Sequence, residues 1–136
     1  MTETVELSGP DYGPKAGGAP SQIVVLLHGR GANGDDLIGL APHLADAMPE
    51  ARFVAPNAPQ PCDFPFGGYQ WFHINERTPE NFLDGTRAAA AGLDALIDKE
   101  LARHDLAAHR MALPGFSQGT MMSLFVGLRR TERLAC

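Results

Sequence analysis

The residues most able to do chemistry lie near the end of the chain, in Gly115-Phe116-Ser117-Gln118-Gly119. A serine hydroxyl is a poor nucleophile at its free pKa and needs a neighbouring base. What glycines on either side supply is geometry. They remove the β-carbons that would collide in a tight turn, so the serine can stand proud of the backbone where a substrate reaches it. A bare Gly-x-Ser-x-Gly also occurs in ordinary turns, and its neighbours decide between the two readings. Here Met111, Leu113 and their neighbours form a short apolar strand before it, and a helical pattern follows from Gln118 to Leu128. Strand, sharp turn and helix together are the context of a nucleophile elbow, with the positive end of the helix dipole beside the serine.

A second glycine-rich stretch, His28-Gly29-Arg30-Gly31-Ala32-Asn33-Gly34-Asp35, ends the apolar run of residues 22–27. In the α/β-hydrolase arrangement, the loop after such a strand gives one backbone N–H to an oxyanion hole. The residue after the nucleophile gives the other. Those donors would be Arg30 and Gln118. A phosphate cradle is the competing reading, but no Lys-Ser/Thr follows and the full Gly-x-Gly-x-x-Gly spacing is missing. Cys62 and Cys136 make no metal or redox spacing.

A serine nucleophile of this type also needs a histidine base and an acid to orient it, in the chain order Ser, Asp or Glu, His. After Ser117 the sequence holds no histidine, no aspartate and a single acid, Glu132. Upstream, His28 at the top of a neighbouring strand is the first candidate substitute. His43 and His104 fall in helical patterns, His109 begins a strand at the opposite end of the sheet, and His73 lies in a long loop.

The elements that must position Ser117 can be read from periodicity. Residues 22–27 are a continuous β-branched run, as in a parallel strand buried on both faces. Leu37, Leu40, Ala41, Leu44, Ala45 and Met48 recur at helical spacing, with Pro42 forcing a break or a late start. Residues 52–56 read as a second strand and residues 109–114 as a third. Thr78-Pro79 reads as an N-cap followed by proline in the first turn. The stripe Phe82, Thr86, Ala89, Ala90, Leu93, Leu96, Ile97, Leu101 then marks the clearest helix. Residues 4–7 alternate weakly as an edge strand, residues 9–20 read as a surface loop, and residues 57–78 as a long loop. In the last helix Gly119, Ser123 and Gly127 leave one face nearly bare, fit for close approach to a sheet. Strands alternating with helices predict an α/β fold with a mostly parallel sheet and helices on both faces.

Composition narrows the partners. Among 136 residues, 11 Lys+Arg stand against 16 Asp+Glu, a formal charge of -5, which leaves no basic stripe for nucleic acid. No apolar run reaches the ~18 residues of a spanning helix, and the first residues lack a signal-peptide pattern. The expectation is a cytoplasmic protein with reduced thiols and no stable membrane anchor.

With these residues in place, the sequence resembles the phospholipase/carboxylesterase family of α/β hydrolases, the bacterial carboxylesterases related to acyl-protein thioesterases. The resemblance rests on Leu26-Leu27-His28-Gly29-Arg30-Gly31, Phe53-Val54-Ala55-Pro56-Asn57-Ala58-Pro59, Trp71-Phe72 and the Ser117 motif. These blocks keep the family's order and spacing from residue 20 onward. It implies hydrolysis of small-molecule carboxylic esters, thioesters or lysophospholipids through an acyl-enzyme on Ser117, without a cofactor. It makes Arg30 and Gln118 the oxyanion donors and His28 a structural residue. It sets Trp71 and Phe72 near the acyl pocket, with Phe116 beside them; plain loop packing is the other reading of Trp71. In the family the missing Asp and His lie on loops after later strands, and Leu134-Ala135-Cys136 resembles the start of the next one. The chain thus reads as a single domain over residues 1–136, incomplete at its C-terminus and inactive alone, with the Ser117 strand exposed as an apolar sheet edge. Two alternatives stay open: a non-catalytic binding or interaction module, and an assembly such as a homodimer in which a second chain completes the sheet.

Overall fold

A computed structural model describes residues 5–62, 67–74 and 76–136. Its centre is a sheet of β1 (Asp11–Tyr12), β3 (Ala51–Val54), β2 (Gln22–Val25) and β6 (Met111–Ala112), in that spatial order. β2 runs parallel to both β3 and β6, and β1 pairs antiparallel with β3 at the edge. Two short strands, β4 (Gln60–Pro61) and β5 (Tyr69–Gln70), form a separate antiparallel pair.

The continuous apolar run around β2 follows from burial on both faces. Ile23, Val25 and Leu27 enter one core with Leu93 and Ile97 of α3 (Pro79–Arg103) and Met122 and Val126 of α4 (Gln118–Arg129). Val24 and Leu26 enter a second core with Phe53 and with Ala41 and Ala45 of α2 (Ala41–Ala45). Each position from Ile23 to Leu27 is therefore apolar whichever way it points. The sheet is covered on both sides, as expected of an α/β fold.

Local signals account for the helix ends. Asn33 caps α1 (Gly34–Ile38), its side chain accepting from Asp36 N–H at 2.8 Å. Pro42 sits in the first turn of α2, where its missing N–H costs nothing, so the predicted break becomes two short helices. Thr78 caps α3 by accepting from Asn81 N–H at 3.2 Å, with Pro79 next. At the far end of the sheet the Arg52 guanidinium grips the buried Glu100 carboxylate of α3 through Nε and a terminal nitrogen, at 3.0 and 3.2 Å. It also reaches Asp11, tying β1, β3 and α3 together.

Four expectations need correction. Residues 5–7 are not a strand; Leu7 instead packs into the α3–α4 core, and Thr4 lies outside the described residues. The 9–20 loop contains β1, because Asp11 and Tyr12 find open β3 partners at Val54 and Phe53. The long loop from residue 57 contains the β4–β5 pair, whose mixed polar sequence carries no alternation. The third strand is shorter than predicted: His109 lies in a 3-10 turn (Ala108–Arg110), and the regular strand is confined to Met111–Ala112.

The outer edge of β6 is partly occupied. Ala135 N–H donates to Met111 O at 2.8 Å and Leu113 N–H to Cys136 O at 2.9 Å. Residues 134–136 thus begin a further row in the same sense as β6. On α4, Leu124 and Leu128 are exposed at 58% and 81%, so this helix face is apolar and uncovered.

Candidate active site

The ladder between β2 and β6 continues past both strands. Leu27 bridges Gly115, its N–H donating to Pro114 O and its C=O accepting from Phe116 N–H, both at 3.0 Å. This register delivers the 28–30 turn and the Ser117 turn to the same end of adjacent strands. Ser117 is exposed and holds φ 53°, ψ −115° just before α4, a left-handed conformation rare for a residue with a β-carbon. The flanking glycines are required by contact. A β-carbon on Gly115 would lie 2.5 Å from Gly119 O, and one on Gly119 would lie 2.1 Å from Leu27 O. Along the same bare face, Ser123 donates to Leu113 O, and Gly127 sits over Leu113 and Leu134. The predicted small-residue face does lie against the sheet.

The two amides read as oxyanion donors lie on these facing turns. Gln118 is the first residue of α4, so its N–H has no carbonyl within the helix. Among the described residues, neither that N–H nor the Arg30 N–H donates to another group. Gly29 packs directly on the elbow, its virtual β-carbon 3.3 Å from Ser117 Cβ and 3.1 Å from the Phe116 ring. The exposed hydroxyl stands where the two turns meet, and the two amides have no partner among the described residues; amide donors of this kind can stabilise negative charge on an attacked carbonyl.

His28 is not available to activate the serine. It is 1% exposed, with Nε2 accepting from Ala58 N–H at 2.9 Å and Nδ1 lying 2.7 Å from Gly29 O. An acceptor Nε2 fixes the proton on Nδ1, which donates to Gly29 O. Burial, above all, pushes its pKa below the ordinary 6.5. His43 lies on α2, His104 caps α3 beside Glu100, and His73 is exposed in the loop before α3. Among the described residues no side chain hydrogen-bonds the Ser117 hydroxyl.

The buried neutral imidazole has a measurable consequence. With the folded pKa below the unfolded one, the unfolded chain takes up the proton first as pH falls. Stability from this group is full above about 7 and declines below 6.5, by at most about 1.4 kcal/mol per pH unit. In urea titrations at pH 8 and 5.5, the stability gap between the parent and His28→Gln should narrow at the lower pH. A gap that stays constant would show that His28 is not held neutral.

Trp71 and Phe72 are buried, at 1% and 3% exposure. The Trp71 indole donates to His28 O at 2.8 Å, and Phe72 lies against Gly85 of α3. Packing of the loop against the His28 turn and against α3 accounts for these two contacts. Phe116, by contrast, is 68% exposed beside Ser117. Sequence reasoning missed Gln70, which is 1% exposed and accepts from Arg30 Nε at 3.2 Å. A polar residue inside an unrecognised short strand gives no periodic signal.

The fold has counterparts among known proteins. A model of the phospholipase/carboxylesterase family matches residues 15–136. The crystal structure of esterase PE8 superposes with a TM-score of 0.87 at 44% identity, over 96% of this chain and 61% of that one. A carboxylesterase from Mesorhizobium loti superposes at 0.64 with 25% identity, over 86% of this chain and 53% of that one. Acyl-protein thioesterase 2 from Zea mays does so at 0.61 with 28% identity, over 87% and 49%. The chain thus spans roughly half to three fifths of the length of these structures.

Proposed function

Because the chain belongs to the phospholipase/carboxylesterase family of α/β hydrolases, we propose that it carries the nucleophile half of a serine carboxylesterase. The observation that carries this is Ser117 itself, exposed in a positive-φ turn at the start of α4, near two amide donors that have no partner among the described residues.

In this reading Ser117 Oγ attacks the ester carbonyl carbon as its proton passes to an imidazole base. The carbonyl oxygen becomes an oxyanion held by Arg30 and Gln118 N–H. Collapse expels the alcohol, which takes the proton, and leaves an acyl-serine that water hydrolyses by the same route. The ester class includes carboxylic esters, with thioesters and lysophospholipids as chemically similar substrates. His28 is locked by two hydrogen bonds, and this chain spans 61% or less of the length of the solved relatives named above; in this reading the remainder supplies the base and its orienting acid. The 136 residues alone then have little or no turnover.

The test is covalent labelling. An alkyl fluorophosphonate should add one phosphonyl group to the longer polypeptide carrying this chain, at Ser117, and label the isolated chain far more slowly. Equal labelling of Ser117→Ala would exclude Ser117 as the nucleophile. No labelling of either form would favour the non-catalytic binding module.

A further inference from the structure

The two turns that carry the proposed oxyanion amides are both held by one segment, residues 69–72. Toward the Arg30 turn, Gly31 N–H donates to Tyr69 O and Tyr69 N–H to Ala32 O, each at 2.8 Å. Gly31 has φ +87°, and a β-carbon on Gly68 would lie 2.4 Å from Gly31 O, so the two turns are in close backbone contact. The Gln70 carboxamide accepts from Arg30 Nε at 3.2 Å and donates to Gln60 Oε1 at 3.3 Å. Toward the elbow, the Gln118 carboxamide accepts from Trp71 N–H at 2.7 Å and donates to Phe72 O at 2.9 Å.

We infer that the Gln118 side chain is a positioning residue, clamping its own backbone N–H and the Arg30 N–H into one frame through the 69–72 strap. The inference rests on the reading of these amides as oxyanion donors. The chemistry required at position 118 is narrow. Trp71 offers a donor and Phe72 an acceptor, so only a group with one of each satisfies both. A glutamate would set an oxygen against Phe72 O and bury a charge, whereas an asparagine is one methylene short. Gln118 is 2% exposed, so water does not readily replace the carboxamide. Because the clamp joins the strap to the first residue of α4, loosening it shifts one donor relative to the other. Transition-state binding falls and substrate binding does not.

The experiment uses the active, longer enzyme containing this chain, with a p-nitrophenyl ester as substrate and an alkyl trifluoromethyl ketone as transition-state mimic. Gln118→Met keeps the volume and removes both hydrogen bonds. It should lower kcat roughly 100-fold with KM within about threefold, and weaken ketone affinity by the same factor as kcat/KM. Gln70→Ala, which releases only the Arg30 side, should lower kcat less, and the double variant should cost less than the two effects combined. Should Gln118→Met not fold, the Gln70→Ala comparison of kcat with ketone affinity decides. A Gln118→Met enzyme with kcat and ketone affinity near the parent values overturns the inference. So does a loss of activity that follows only the folded fraction. Ser117→Ala separates the two levels: turnover surviving that change defeats the serine reading itself, whereas turnover lost there but intact in the clamp variants defeats only the clamp.

Discussion

Ser117→Gly is expected to abolish ester hydrolysis by the complete enzyme while raising the stability of the fold. Loss of the nucleophile from a serine hydrolase lowers kcat by roughly ten-thousand-fold to a million-fold. Ser117→Ala should lose the same activity, so kinetics alone does not separate the two variants. Stability does. Ser117 holds φ 53° with ψ −115°, and a non-glycine residue in such a region stores about 1–3 kcal/mol. Glycine relieves that strain but frees the unfolded chain, at a cost of about 0.5–1 kcal/mol. Relief exceeds the entropic cost, leaving Ser117→Gly about 1 kcal/mol more stable than Ser117→Ala in urea titration. If the alanine variant is the more stable one, the turn is not strained and the exposure of the hydroxyl needs another cause.

Much of this site was legible before the fold was known, because its signals are local. The β2 run, the Thr78-Pro79 start of α3 and the strand-turn-helix around Ser117 each depend on residues adjacent in sequence. The bare Gly119, Ser123, Gly127 face could be read as well, since a helix brings every fourth residue to one side. What escaped depends on partners far away in the chain. β1 exists because Asp11 and Tyr12 meet Val54 and Phe53, and no pattern within residues 9–20 announces that. The β4–β5 pair is held by contacts with the Arg30 turn, and Trp71 directly after it by Gln118, so its strands need no apolar alternation.

The histidines show the same division. Spacing could place His28 at the top of a strand beside the nucleophile, which made it a candidate base. Only the three-dimensional contacts reveal that Ala58 N–H occupies its Nε2. Closeness of the two turns was readable, but the tautomer of His28 was not, because it is set by a backbone group 30 positions away in the chain.

The elbow also depends on how near α4 comes to β2, and there Gly119→Ala should have the largest effect on folding. Its β-carbon would lie 2.1 Å from Leu27 O and 2.7 Å from His28 O. Neither carbonyl can withdraw: Leu27 O accepts from Phe116 N–H, and His28 O accepts from the Trp71 indole. Helix α4 must therefore move away, breaking the 115–119 turn and opening the core around Met122 and Val126. Such backbone overpacking should cost about 3 kcal/mol or more, a large share of the ~5–15 kcal/mol that holds a domain together. Gly127→Ala is the internal control on the same helix face. Its β-carbon would meet Leu113 and Leu134 side chains at 3.8 and 3.9 Å, ordinary contact distances. Alanine is also the better helix former by about 1 kcal/mol, so that variant should be neutral or stabilised. Denaturant midpoints for the two proteins should differ widely, with Gly119→Ala also losing fluorophosphonate labelling at Ser117. Equal midpoints would mean that α4 does not approach β2 so closely and that glycine is not obligatory in the elbow.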